Sequence, residues 1–376
     1  MSDVQYVRGV PADRADIVDF ANYVFSHDHE PHDFKQLLPK VYADDVQGME
    51  DWHFLAKADG RIRAMVCRLP LTMHVGDRVL RCGFIGTVSV HPYARGAGYM
   101  KHVMADVLED ARGRFDVLVL GGQRQRYNYF GFERAGAHMH YTLNPAGMRH
   151  CLRKVDVSDI TFSDLTEERP EEIDFVLNLM KRQVMYCERP RAYFLHYARS
   201  WCSRARLVRI AGEMAGYVIG EVSEMGLADE KELPRVLKAL IEQEKLAQVD
   251  FYVAPFERER MLLLRNISEI GMIVPFEMIH VLNWPRFVET MLRLKATAAP
   301  LEDGVCTVCV TGESTFTVRV EGGVPTVTED GRVPDVTCTH LEAERMFMSL
   351  DNLLWPGTLP ATWAPLPFKM TGVDTF

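Results

Sequence analysis

Apolar positions along the chain switch repeatedly between a period of two and a period of three to four. Residues 4–10 (VQYVRGV) alternate as a strand. Pro11-Ala-Asp-Arg then opens a helix over about 12–25, with Ile17, Phe20, Ala21 and Val24 on one face. A polar run, SHDHEPHDF, leads to a short helix near Phe34–Val41. Residues 52–58 and 61–76 alternate as two strands, and Asp59-Gly60 between them is a hairpin dipeptide. A strand at 80–90, a glycine-bearing turn and an amphipathic helix from about 97 to 112 follow. Then come a buried strand at 116–121, a short helix carrying Tyr127, and a strand at 138–143. The order β-α-α-β-β-β-turn-α-β-α-β predicts a mixed sheet with helices on both faces.

After Asn144-Pro145 the pattern starts again. A strand at 159–162, a helix near 171–187 and a hairpin of 206–211 with 214–222 precede a helix at 232–245. A strand at 249–253, a helix at 257–265 and a strand at 276–282 complete this stretch. From its hairpin onward it echoes the first order, which predicts a duplicated fold. The turns differ: the first copy has HPYARGAGYM, the second the acidic, glycine-poor SEMGLADEKEL, which repels pyrophosphate. From about 286 a helix, strands at 305–310, 314–320 and 324–328, and a helix at 340–350 form a third part. Its tail, rich in proline and aromatics, ends on Phe376. The fold class expected is α+β / α/β.

Composition narrows the function. A chain of 376 residues suggests two or three domains, and 47% hydrophobic with 25% charged residues is ordinary for a soluble globular protein. A net charge of -9 without a long basic run argues against nucleic acid and suits a cationic substrate. The first residues lack the apolar core of a signal peptide, and no stretch approaches the roughly 20 apolar residues of a membrane span. A cytoplasmic protein without a membrane partner is expected. Eight irregularly spaced cysteines do not suggest a disulfide framework. Cys306 and Cys309, with Cys338 and His340 beyond, invite a zinc reading. They lie in an alternating strand, where residues three apart face opposite ways, so no metal is expected there.

The informative string is Gly86-Thr-Val-Ser-Val-His-Pro-Tyr-Ala-Arg95-Gly-Ala-Gly-Tyr-Met100. Val88 and Val90 end a strand, and the turn after them opens a helix whose first N–H groups and dipole attract an anion. Gly96 and Gly98 let phosphate oxygens reach the backbone, and Arg95 adds a charge. A turn that merely reverses the chain is the plainer alternative. The complete string, with a strand before and a helix after, favours phosphate.

This string resembles motif A of the GNAT N-acetyltransferases, which implies acetyl-CoA held by Val88, Ser89, Val90, Arg95, Gly96, Ala97, Gly98, Tyr99 and Met100. Met100 stands where the family prefers Gly or Ala. Tyr127-Asn-Tyr-Phe-Gly131-Phe132 resembles the family's Tyr-x-x-x-Gly-Phe, with the tyrosine near the thioester sulfur. The whole chain is similar to the enhanced intracellular survival (Eis) branch: a GNAT domain at 1–148, a degenerate GNAT-like domain at 149–285, and a sterol-carrier-like domain at 286–376. The resemblance implies Tyr127 as general acid, the Phe376 carboxylate as proton acceptor, a homohexamer, and cationic acceptors such as aminoglycosides or lysine-type amines.

The chemistry is consistent with those roles. An amine of pKa near 10.4 is almost wholly protonated at neutral pH, so it must lose a proton to attack. A terminal carboxylate, with a reference pKa of about 3.5, serves best by holding the ammonium and relaying its proton through water. A strand-end N–H near Val90 suits the oxyanion, and Tyr127 suits the departing thiolate. His27-Asp-His-Glu-Pro-His-Asp33 reads as an acidic rim for the amine rather than a metal site. Tyr129 reads as core or rim. Two other functions fit the chain: a lipid- or ligand-binding module in the last domain, and an acyl-CoA sensor without turnover.

Overall fold

The computed structural model describes residues 4–28, 30–355 and 357–376. In the first third, β1 (Val4–Arg8), α1 (Arg14–Asp28), β2 (His53–Ala58), β3 (Arg61–Val75) and β4 (Arg78–Val90) precede α2 (Tyr99–Ala111), β5 (Val117–Leu120), β6 (Glu133–Arg134) and β7 (His138–Leu143). The β2–β3 hairpin turns where expected, with Asp59 and Gly60 at φ 53 and 71. The expected helix near 34–41 is two short helices, Phe34–Leu37 and Pro39–Tyr42. Pro39 forces the break, since it disfavours helical backbone at the residue before it.

The middle third contains β8 (Ile160–Asp164), α3 (Pro170–Met180), β9 (Met185–Cys187), β10 (Ala205–Ile210), β11 (Glu213–Ile219), β12 (Glu224–Leu227), α4 (Leu233–Glu244), β13 (Val249–Val253), β14 (Ile270–Val274) and β15 (Met278–Val281). The helix expected through 187 stops at Met180, because Met185–Cys187 turns out to pair with the end of β3. The strand expected over 214–222 ends before Gly220, at φ 65, and β12 forms within 223–233, the stretch read from sequence as a turn. The last part holds α5 (Trp284–Ala298), β16 (Gly304–Val310), β17 (Ser314–Glu321), β18 (Val324–Thr328), β19 (Val336–Cys338) and α6 (His340–Met348).

Sheet membership does not follow chain order. The main sheet runs β1-β2-β3-β4-β5-β15-β6, with β9 against β3. β15, from late in the chain, is thus inserted between β5 and β6. In return β7 sits between β13 and β14 in a three-stranded sheet. β12-β11-β10-β8 and β18-β17-β16-β19 form two further sheets. The mixed α/β class is as expected, while the expected boundary near 148 is crossed by a reciprocal exchange of strands.

The main sheet has two apolar faces. Phe84, Val117, Val119 and Ile279 enter one core cluster, while Ile85, Leu118, Leu120 and Met278 enter another with Val103, Met104 and Val107 of α2. At about 25 cal/mol per Å2 of apolar area, this double-sided burial is the main force holding β15 in a sheet far from it in sequence. No described helix is long and apolar enough to cross a membrane.

Candidate active site

β4 and β5 are parallel and paired only from Cys82↔Val117 to Ile85↔Leu120. β4 runs on to Val90, whereas the chain leaves β5 through Gly121-Gly122. Between Gly86 and Ser89 β4 also bulges, so that Thr87 and Val88 face only Val66 of β3. Thr87 takes φ 42, a conformation costly for a β-branched residue. Tyr42 holds it there, its buried hydroxyl donating to Thr87 Oγ1 at 2.8 Å. The two strands therefore part at Gly86 and Gly121 and leave a V-shaped gap. Val90 N–H faces that gap: Met65↔Ser89 and the bond from His91 N–H to Arg63 O are the alternate bonded positions, so Val90 points the other way. Ser89 is buried, its hydroxyl donating to Thr87 O at 3.0 Å.

Beyond the gap lies the turn into α2. Gly96 and Gly98 have φ 83 and 82, and nothing lies within 4 Å of a Cβ added to either. Gly98 caps α2 with no side-chain hydrogen bond, and the first turn contains no acidic residue. The N–H groups of this turn are thus offered outward with the positive end of the helix dipole. Tyr99 and Met100 pack their side chains against the core, so their contribution to an anion is main-chain N–H. Arg95, Gly96, Ala97 and Gly98 are exposed. Open glycines, unshared amides and a gap between parallel strands together fit a phosphate-bearing acyl thioester.

Tyr127 and Phe376 flank the mouth of the gap from opposite faces of the sheet. Tyr127 belongs to the apolar cluster on the α2 side, and a Cβ added to Gly122 would lie 2.9 Å from its ring. Burial raises the Tyr127 pKa, and Arg126 opposes the shift. The segment carrying Tyr127 is fixed by buried Glu133: burial pushes this carboxyl up, but ion pairs with Arg124 and with Arg345 of α6 hold it near about 2. Gly131 of the same motif has φ 82, and a Cβ there would meet His280 Nδ1 at 2.8 Å. Only glycine fits.

The Phe376 ring lies on the other face, 5.2 Å from Phe84, and a Cβ on Gly86 would fall 1.9 Å from its Cε2. A chain end is usually frayed; this one is held. Lys40, almost wholly buried, donates to Val373 O at 2.8 Å and to Thr375 O. Arg189 grips Asp374 at 2.8 and 2.9 Å, donates to Thr371 Oγ1 at 3.0 Å, and pairs with Glu224, all deep in the protein. Tyr217 donates to Glu224 at 2.8 Å. Arg189 between two carboxylates thus leaves neither of them unpaired where a lone buried charge would be very costly. Burial lowers the Lys40 pKa to about 7, with Asp374 opposing. None of Lys40, Arg189 or Glu224 was singled out from sequence, because scattered single charges give no local pattern.

A second feature missed from sequence is Glu277, just before β15. Met278 pairs with Leu120, so Glu277 falls opposite Gly121, and its Oε2 is 3.4 Å from a Cβ added there. Arg134 reaches Glu277 and Gly122 O at 3.3 Å each.

Other expected features have structural places. Cys306 is buried and Cys309 half-buried on opposite faces of β16, as strand alternation requires. Cys338 Sγ is directed at Cys309 O. His280, His340 and Glu344 do converge, but the two imidazoles stack with centroids 4.0 Å apart. Stacked rings do not aim in-plane lone pairs at one ion about 2 Å from each. Glu313 and Glu344 instead hold His340 protonated, raising its pKa to about 9 against burial. In the expected acidic rim, Asp33 accepts from Lys35 N and the His27 ring lies 6.3 Å from Tyr93 of the turn. His29 and the Asp28 side chain lie outside the described residues. Tyr129 is exposed at the rim.

Residues 7–135 match the family model described as "Acetyltransferase (GNAT) domain". The chain thus carries a GNAT acetyltransferase domain, and this supports an acyltransferase activity. The fold as a whole is similar to a GCN5-related N-acetyltransferase from Anabaena variabilis (14% identity, 100% of each chain, TM-score 0.67). It is also similar to a probable N-acyltransferase from Enterococcus faecalis (15% identity, 92% of this chain and 90% of that one, TM-score 0.66). Eis1 from Mycobacterium abscessus shares it too (14% identity, 93% and 89%, TM-score 0.60). No curated protein sequence matches the chain.

Proposed function

We propose that the protein is an N-acetyltransferase that moves an acetyl group from acetyl-CoA to a primary amine of a cationic small molecule. The reading rests on one observation above all: β4 and β5 part after Ile85 and Leu120, and an uncapped helix start with two open glycines stands beyond the gap. Acetyl-CoA, when bound, supplies the activated thioester. The turn at Arg95–Met100 holds its pyrophosphate, and Val88, Ser89 and Val90 line the pantetheine arm as an added strand edge. Val90 N–H donates to the carbonyl oxygen as charge develops there. Tyr127, from the α2 face, gives its phenolic proton to the leaving sulfur; a thiol near 8.5 and a phenol near 10 make that transfer close to balanced. The terminal carboxylate of Phe376, from the opposite face, orders the ammonium and takes up its proton directly or through water.

In this reading the chain has three parts, with boundaries near 148 and 285. The middle part binds no cofactor, and the last one delivers the tail. The decisive experiment titrates the full-length protein with acetyl-CoA in a calorimeter, beside Gly98→Glu, and then follows thiol release with primary amines. Saturable binding near one per chain, lost in the variant, is expected. Absence of binding by the wild type sinks the reading.

A further inference from the structure

An ammonium that ends as an amide sheds two protons from nitrogen, one before attack and one as the adduct collapses. One of them is balanced by the proton Tyr127 gives to sulfur. The two leave at different moments, so a second acceptor beside the terminal carboxylate spares a single group from unloading between them. We propose that Glu277 is that second acceptor, and that the amine reaches it through a cavity between β12, β13 and the C-terminal tail. This assignment rests on the acetyltransferase reading above.

Three observations carry it. The first is registry. Ile279 and Val119 share the apolar cluster that Phe376 packs against, whereas Met278 and Leu120 share the α2-side cluster with Tyr127. By strand alternation Glu277 and Gly121 therefore lie on the Phe376 face. Gly86 and Gly121 follow the last bonded pair of β4 and β5, so Phe376 and Glu277 sit over the two sides of the same gap. Glu277 and Phe376 thus share one face of the gap, and Tyr127 lies on the other.

The second is space. Glu277 lines a cavity of about 630 Å3 whose wall includes Glu224 of β12, Phe251 and Tyr252 of β13, and Thr375, the neighbour of the terminal residue. That volume suits a small-molecule acceptor. The cavity occupies the space between β12 and β13, which belong to different sheets. This is the place in the middle part that corresponds to the cofactor gap between β4 and β5.

The third is environment. Half-buried Glu277 has its pKa raised by desolvation, with Arg134 only partly offsetting it. A carboxylate of raised pKa is a stronger proton acceptor near neutral pH. In the step, a neutral amine forms as RNH3+ passes one proton to the Glu277 carboxylate. Nitrogen then bonds to the acyl carbon, the C–S bond breaks, Tyr127 protonates sulfur, and the second nitrogen proton leaves through the Phe376 carboxylate. Of the two nitrogen protons now on the carboxylates, one restores the Tyr127 phenol and the other is released to solvent, as an ammonium acceptor requires.

The test uses the full-length protein with spermidine and an aminoglycoside as probes. Glu277→Gln keeps a neutral partner for Arg134, and should bind acetyl-CoA as the wild type does. Its kcat/KM for amine should fall 30-fold or more at pH 7, and should recover with rising pH as solution supplies free amine. Glu277→Asp should recover part of the loss. Glu221→Lys, at the exposed mouth of the cavity, should raise KM for the amine about tenfold with kcat unchanged. A Glu277→Gln enzyme within threefold of wild type, with the same pH profile, overturns the proposal and leaves the acetyltransferase reading standing. A wild type that releases no thiol with either amine overturns that reading, and this one with it.

Discussion

Two passages of the chain run from a strand through a turn into a helix, and they end differently. After Val90, the turn into α2 has Gly98 at φ 82 as the helix cap, with no side-chain cap bond and no acidic residue in the first helical turn. After Leu227, Asp229 accepts from Lys231 N, Glu230 pairs with Arg260 at 2.5 Å, and Glu232 with Arg235 at 2.6 Å. The first passage leaves its helix start open to an anion. In the second, the Asp229 carboxylate takes the Lys231 amide and two more carboxylates stand in the turn, paired with arginines. The strands behind them differ as well: β4 stays bonded to β5 for four positions, while β12 and β13 share no sheet. Into the second space come residues of the tail, held by Glu224 through Arg189. The same succession of elements thus leaves an open helix start in one place and a clamp on the residues before Phe376 in the other. Capping chemistry and strand pairing make the difference, not element order.

The contrast can be broken from either side. The largest effect is expected from Arg189→Ala, which leaves Glu224 and Asp374 buried and unpaired. About 3–5 kcal/mol of stability should be lost, read as a lower denaturant midpoint, with the tail released. A loss under about 1 kcal/mol would mean the clamp is not closed in solution. Gly98→Glu should weaken acetyl-CoA binding at least 100-fold, about 2.7 kcal/mol, by placing a like charge and a Cβ at the open turn. Calorimetry reads it directly. Removal of Phe376 should lower kcat tenfold or more, about 1.4 kcal/mol of barrier, while acetyl-CoA affinity stays as it was. Near wild-type turnover in that deletion would remove the terminal carboxylate from the mechanism. The smallest effect belongs to Asp229→Ala, which should cost about 1 kcal/mol of stability as a lost cap and leave acetyl-CoA binding unchanged. Gain of a second acetyl-CoA per chain in that variant would show that the acidic cap alone closes the second passage.

The glycine turn before α2 was legible because its requirements are local. Positive φ at Gly96 and Gly98, a strand ending at Val90 and a helix beginning at Tyr99 all fall within about ten residues, and the motif around Tyr127 and Gly131 is equally compact. The β2–β3 hairpin was legible for the same reason, since its turn dipeptide sets its own dihedrals. Short strands were not. β6 and β9 have two and three residues, too few for a period to register, and exposed β14 shows no alternation of burial. Helix α3 was read too long because its last residues alternate only once they reach the edge of β3.

The sequence by itself determined most of the local elements and the glycine turn that opens α2. Those depend on backbone preference and on spacing within a few turns of chain. Only the tertiary structure decided which strands share a sheet. Neither β7 (HMHYTL) nor β15 (MIHV) carries a pattern that names its partner strands, so their exchange is settled by packing. That exchange sets Glu277 against Gly121, and the buried set of Lys40, Arg189, Glu224 and Asp374 fixes Phe376 over Gly86. These partners lie tens to hundreds of residues apart, and burial holds them together where no local rule could have paired them.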